Sequence, residues 1–201
     1  MTKECEHVAQ ASAANKQLAR TVADRFGQRP RITRFRDEHE TRWVDIAQAT
    51  DSPVAGVTSY ATLGLSDWPL MDDGQEYPVR VEFLGACAGS YNQFANVLST
   101  AAFNVIKDDW FVYPGRIFPD VVAMYYPAFP MKHLLFVPPF LWEESFSTQE
   151  FPDKTVAWLF AVPISEDEMQ YARIDGADAL EELFEHKQID VFDLERTSVA
   201  Y

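Results

Sequence analysis

Apolar residues recur at helical spacing at the start of the chain. Val8, Ala11, Leu18, Val22 and Phe26 fall near one face, and Gly27 and Pro30 supply a stop, so residues 1–26 are expected to form a helix. Arg31–Arg36 and residues 43–49 alternate or nearly alternate, and the polar stretch from Asp37 to Thr41 between them predicts a hairpin. Residues 54–63 and 79–84 read as two further strands, antiparallel neighbours, with turn chemistry at Asp72-Asp73-Gly74 between them. The clearest helical stripe follows: Phe94, Val97, Leu98, Ala101, Ala102 and Val105, with Ser90 and Gln93 at capping-box spacing ahead of it.

From Trp110 to Trp142 the periodicity dissolves into proline and aromatic residues. Pro114, Pro119, Pro127, Pro130, Pro138 and Pro139 remove backbone donors, leaving room only for short strands at 121–124 and 134–137. The apolar run 156–162 suits a central strand covered on both faces. Ser165 with Glu168, and Asp178 with Glu181, match capping boxes, while His186 and Lys187 stand where a helix C-terminus favours positive charge. Ile189, Val191 and Phe192 predict a short last strand. The sum is an α+β (mixed α/β) fold: one domain over 1–201, with a twisted, mostly antiparallel sheet and helices packed against it.

Composition narrows the function classes. A chain of 201 residues with 47% hydrophobic content can bury a substantial core. Its apolar runs fall far short of the ~20 residues that span a membrane, and the N-terminus lacks a basic segment followed by an apolar one, so a cytoplasmic protein is expected. Cys5 and Cys87 are too few for a disulfide framework, and Cys87 reads as a small buried thiol. The formal net charge is −14, and since the first 50 residues hold nine basic and seven acidic side chains, the remainder carries the acid excess. Such a field repels a polyanion, which argues against nucleic-acid binding. The run Arg25, Arg29, Arg31, Arg34, Arg36 is flanked by Asp24, Asp37, Glu38 and Glu40 and reads as a solvated strand face.

Recognisable catalytic signatures fail in detail. His39-Glu40-Thr41-Arg42-Trp43 places Trp43 where a zinc-protease helix needs its second histidine. Gly64-Leu65-Ser66-Asp67-Trp68 lacks the second glycine of a nucleophile elbow. Cys5-Glu6-His7 is short of the four ligands of a structural zinc site, and adjacent acidic pairs do not face one another. No metal or cofactor is implied. The enzymatic alternative is a hydrolase with a cleft near Ser66, Asp67 and His133.

The aromatic belt offers a different chemistry. Of Trp110, Phe111, Tyr113, Phe118, Tyr125, Tyr126, Phe129, Phe136, Phe140 and Trp142, at least half are expected in the core, since together they would make an aggregation-prone patch. The rest, with nearby acids, predict an acidic-rimmed aromatic surface for a basic protein partner: Trp68, Asp72, Asp73, Tyr125, Tyr126, Trp142, Glu143 and Glu144. Nothing in the pattern sets an oligomeric state.

Ser59-Tyr60-Ala61-Thr62-Leu63-Gly64-Leu65-Ser66-Asp67 resembles the signature strand and turn of the Suppressor of fused family. Residues 79–84, 156–165 with Glu166-Asp167-Glu168-Met169, 179–184 and 193–196 are similar to later segments of that family in the same order, so the resemblance covers roughly 57–199 and leaves a helix and hairpin over 1–56. Phe118-Pro119-Asp120, Met131-Lys132-His133-Leu134 and Pro138-Pro139-Phe140-Leu141-Trp142-Glu143 are similar to the bacterial stand-alone branch. The resemblance implies no enzymatic activity and no cofactor. For that branch it implies a cytoplasmic immunity protein that neutralises a cognate polymorphic toxin. In animals the family binds transcription factors through a peptide strand held between two domains; this chain resembles only the N-terminal one, so that clamp does not carry over. A general protein-interaction regulator is the other non-enzymatic reading.

Overall fold

A computed structural model of the protein describes residues 12–142 and 146–200, apart from the side chain of Trp142. Helix α1 (Ala13–Arg25) starts where the Ser12 side chain accepts a hydrogen bond from the Asn15 amide, and it buries Ala14, Leu18 and Val22. The expected beginning of this helix, with Val8 and Ala11, lies outside the described residues. Strands β1 (Arg31–Arg36) and β2 (Trp43–Thr50) form the predicted hairpin. Asp37 organises its turn by accepting from the Arg42 and Thr41 amides and the Thr41 hydroxyl. These bonds, the Arg42 amide foremost, hold its carboxyl below the usual range.

Next come β3 (Val57–Leu63), the small hairpin of β4 (Met71–Asp72) and β5 (Gln75–Glu76), and β6 (Val79–Ala88). Asp73 and Gly74 link β4 to β5 with φ of 47° and 80°, the paired positive values that a two-residue hairpin turn demands. Helix α2 (Phe94–Asp108) buries the whole predicted stripe. It sits close on β6: a Cβ built at Gly85 would lie 2.7 Å from the Phe94 ring, so the strand needs a residue without a side chain there. After it follow β7 (Ile117–Phe118), β8 (Met131–Val137), β9 (Gln149–Glu150), β10 (Thr155–Ser165), α3 (Glu166–Asp175) and α4 (Ala177–Lys187).

Eight strands form one sheet in the order β1-β2-β3-β6-β10-β8-β7, with β9 beside β10. Every pairing is antiparallel except that of β6 with β10. The predicted α+β architecture and mostly antiparallel sheet are therefore present. β10 is an interior strand covered on both faces: Leu159 and Ala161 join the core under α2, while Val156, Phe160 and Val162 join the core under α1, α3 and α4. Each large side chain so buried contributes about 1.5–3 kcal/mol relative to exposure. The aromatic belt closes the α2 face. Phe118, Tyr126 and Phe136 are buried in that core, and Trp110, Phe111, Tyr125 and Phe129 pack against it. Tyr113 and Phe140 remain exposed.

Several local expectations are corrected. α2 begins after Gln93 without a side-chain cap, because the Gln93 amide donates to the Tyr126 hydroxyl and Ser90 forms no box. The Asp178–Glu181 box is absent because α4 starts at Ala177, which puts Asp178 inside its first turn, where its charge still suits the helix dipole. The Ser165–Glu168 box does form. Residues 121–124 are turns rather than a strand: the Met124 amide returns to the Asp120 carbonyl, and those of Tyr125 and Tyr126 to Val122. Residues 189–192 pack on the core without joining the sheet ladder, apart from one bond from the Ala88 amide to the Phe192 carbonyl. β3 starts at Val57, after a turn in which the Gly56 amide donates to Asp51.

Candidate partner-binding surface

The turn after β3 is held from within. Gly64 takes φ 95° and opens the short 3-10 turn Leu65–Asp67. Beneath it Glu82 of β6 is fully buried and accepts from four donors: the Thr62 hydroxyl at 2.5 Å, the Ser66 hydroxyl at 2.8 Å, and the amides of Gly64 and Ser66 at 2.9 and 3.1 Å. Burial pushes this carboxyl above its ordinary range, while the four donors pull the other way. Lys154 caps the cluster, donating to the Ser66 carbonyl and hydroxyl and to Asp67 at 2.7 Å. Arg80 donates to the carbonyls of Ser66 and Asp67 and pairs with Glu76 of β5. Backbone 64–68 and the neighbouring hairpin are thereby fixed to the sheet.

This geometry separates the groups of the hydrolase alternative. Ser66 is buried, its hydroxyl donating to Glu82 and accepting from Lys154. His133 on β8 accepts from the Asp120 amide at Nδ1, so its proton sits on Nε2, which faces Glu166 at 3.1 Å. Lys154 adjoins one end of β10 and His133 pairs with Ile164 at the other, roughly 30 Å away at the rise of an extended strand. Ser66 and His133 consequently belong to opposite ends of the sheet. Among the described residues, no group of three or more His, Cys, Asp and Glu is placed to hold a metal; Cys5, Glu6 and His7 lie outside them. Cys87 is the buried thiol expected, pushed up to about 12 by burial. Folded protein should accordingly leave Cys87 unmodified by iodoacetamide at pH 8, with labelling on denaturation; mass mapping of rapid labelling at Cys87 in the native state would contradict this placement.

The eight residues expected to face a partner divide. Trp68 lies under the Arg42 guanidinium, 5.3 Å from its ring, and Arg42 reaches the Ile106 carbonyl near the C-terminal end of α2. Tyr125 bonds Thr100 halfway along α2, and Tyr126, buried, bonds Gln93 at its start and stacks on Phe129 at 5.2 Å. Along the helix Gln93 and Ile106 are about 20 Å apart, so Trp68 and Tyr126 do not meet. Glu143, Glu144 and the Trp142 side chain lie outside the described residues.

Asp72 and Asp73 do line a groove. A cavity of 560 Å³ runs between the β4–β5 hairpin and the segment after α2, walled by Asp72, Asp73, Asp109, Trp110, Phe111, Tyr113 and Arg116 among others. Three aspartates, one arginine and three aromatic residues thus line the same groove. Phe111 and Tyr77 meet edge to face at 5.3 Å, which fixes the hairpin against this segment. Tyr113 also borders a second, mainly apolar cavity of 310 Å³ that includes Leu70, Tyr77 and Pro138. Sequence reasoning placed Trp110, Phe111 and Tyr113 in the belt and missed Asp109 and Arg116. Asp109 carried a readable signal: it caps α2 in the left-handed conformation, φ 53°, which Asp tolerates better than most residues.

Comparisons with known proteins agree with this architecture. The chain is 46% identical over 186 residues, 92% of its length, to the immunity protein YqcF of Bacillus subtilis (strain 168), of which it covers 97%. Among solved structures it is similar to a putative Suppressor of fused homologue from Neisseria gonorrhoeae FA 1090, with TM-score 0.71 and 16% identity over 93% of this chain and 97% of that one. It is also similar to Drosophila Suppressor of Fused, with TM-score 0.64 and 12% identity over 90% of this chain and 50% of that one. A chain of the Sufu–Fu complex matches with TM-score 0.66 and 13% identity, over 92% of this chain and 91% of that chain. The family model for the Suppressor of fused protein matches residues 40–197, starting earlier than the signature strand and taking in β2. The chain belongs to the Suppressor of fused family.

Proposed function

We propose that this protein is a non-enzymatic, cytoplasmic immunity protein that neutralises a cognate toxin by binding it. The observation that carries the reading is the 46% identity, across nearly the whole chain, to a protein named as an immunity protein. The separation of Ser66 from His133 supports a binding role over hydrolysis, because each side chain is already committed to a structural network. A basic toxin domain is the partner best matched to a formal charge of −14 and to a groove bearing Asp72, Asp73 and Asp109. Exposed Tyr113 supplies the aromatic contact that such interfaces favour.

Co-expression with a candidate toxin domain, sought among the genes beside this one, is the direct test: the protein should restore growth and co-purify with the toxin. Rim carboxylates steer encounter, so the association rate should fall as ionic strength passes ~0.15 M, where screening acts over about 8 Å. Replacing Asp72, Asp73, Glu143 and Glu144 together should lower that rate with the melting temperature unchanged. A rate indifferent to both salt and these substitutions would exclude the acidic surface. Turnover of an ester, phosphate or nucleic-acid substrate, lost on mutating Ser66 or His133, would overturn the non-enzymatic reading.

A further inference from the structure

A third cavity is found on the opposite face of the sheet. It lies between α4 and the end of β8, a cavity of 340 Å³ whose apolar walls include Val137, Val162, Phe184 and Val191. At its mouth stands Phe140, 49% exposed although its ring meets Phe160 edge to face at 5.2 Å. Glu181 and Glu185, one helical turn apart on α4, form the rim. Their arrangement is unfavourable in isolation: partial burial, then the charges of Asp178 and Glu185, push the Glu181 carboxyl up. Like charges at this spacing destabilise a helix rather than support it. Apolar walls, an exposed aromatic ring and two carboxylates with no ion-pair partner among the described residues together make a receptor for something apolar and positively charged.

We propose that this α4 cleft is a binding site for an apolar side chain flanked by lysine or arginine, presented by the protein partner. The volume suits a single aromatic or aliphatic anchor, and the rim supplies the countercharge for its basic neighbours. A second copy of this chain is a poor occupant, because it carries the same −14 charge and would set carboxylates against carboxylates. Pro138 borders both this cleft and the apolar cavity next to the aspartate groove, so one partner can engage both regions. The partner's identity rests on the immunity reading; the site's chemistry does not.

The test uses full-length protein and the synthetic peptide acetyl-Gly-Lys-Phe-Lys-Gly-amide, followed by amide chemical shifts at low salt. Shifts are expected to cluster at Val137, Val162, Phe184 and Val191. The variant Glu181→Gln/Glu185→Gln should weaken binding about tenfold or more while melting at the same or a higher temperature, since it removes opposed charges. A control peptide with glutamate in place of lysine should leave the spectrum unchanged. Equal binding of the glutamate peptide, an unaffected double variant, or shifts confined to the Asp72–Tyr113 groove would each overturn the site. So would a concentration-dependent dimer abolished by the same variant, which would assign the cleft to a second copy. Applied to the toxin, the variant separates the two ideas. A toxin bound equally by wild type and variant sinks the cleft and keeps the immunity reading; peptide binding with no toxin bound by wild type does the reverse.

Discussion

Replacing Glu82 by alanine is expected to cost about 3–5 kcal/mol, the scale for leaving several buried donors without an acceptor. The substitution leaves the hydroxyls of Thr62 and Ser66 and the amides of Gly64 and Ser66 without their acceptor in a fully buried site. For a chain of this size that corresponds to a melting temperature lower by roughly 10 °C. Glu82→Gln should fall between the two, because an amide offers one acceptor oxygen while its NH₂ group faces donors. Thermal denaturation followed by circular dichroism decides the matter, and an alanine variant melting with the wild type would show that the cluster contributes nothing. The loss should also reach the surface, since Lys154 and Arg80 hold the same turn.

Arg196→Ala is expected to destabilise by a similar amount, about 3–5 kcal/mol. Arg196 donates two bonds to the fully buried Glu168, at 2.6 and 2.8 Å, and a third to the Pro163 carbonyl. Without it the Glu168 charge stays buried with only the amides of Ser165 and Val199 for partners. The double variant Glu168→Met/Arg196→Leu should recover part of the loss, because it removes both charges at once; the capping bond to Ser165 is still forfeited. Urea denaturation of the wild type, Glu168→Met, Arg196→Leu and the double variant forms a complete cycle. Purely additive losses would mean that the pair has no coupling.

Long periodic segments were legible in the amino-acid sequence. The α2 stripe and the 156–162 run are strong because burial on one face, or on both, imposes the pattern over many residues. Residues 121–124 failed for the same reason in reverse: Val121 and Val122 are buried in the turn just as they would be in a strand, so hydrophobicity alone cannot separate the two. The Ser90 and Asp178 caps failed because spacing is necessary for a capping box but does not locate the first helical residue. The aspartate hairpin was readable from Asp73-Gly74. That it faces Asp109 and Arg116 was not, since only tertiary packing brings the two segments together. Tyr126 shows the limit of composition: its hydroxyl satisfies the Gln93 amide, which draws a residue type common at interfaces into the interior.

The parallel pairing of β6 with β10 sets a timetable for the nascent chain. The antiparallel quartet β1-β2-β3-β6 is complete once residue 88 has been made, yet β6 must wait for β10, which begins at residue 155. At bacterial and eukaryotic synthesis speeds, that interval lasts on the order of 3–13 s. Throughout it the β6 edge is an unpaired template flanked by apolar side chains, the kind of surface that recruits a neighbouring strand or a chaperone. Translation speed across the proline-rich segment therefore acts on the yield of folded protein.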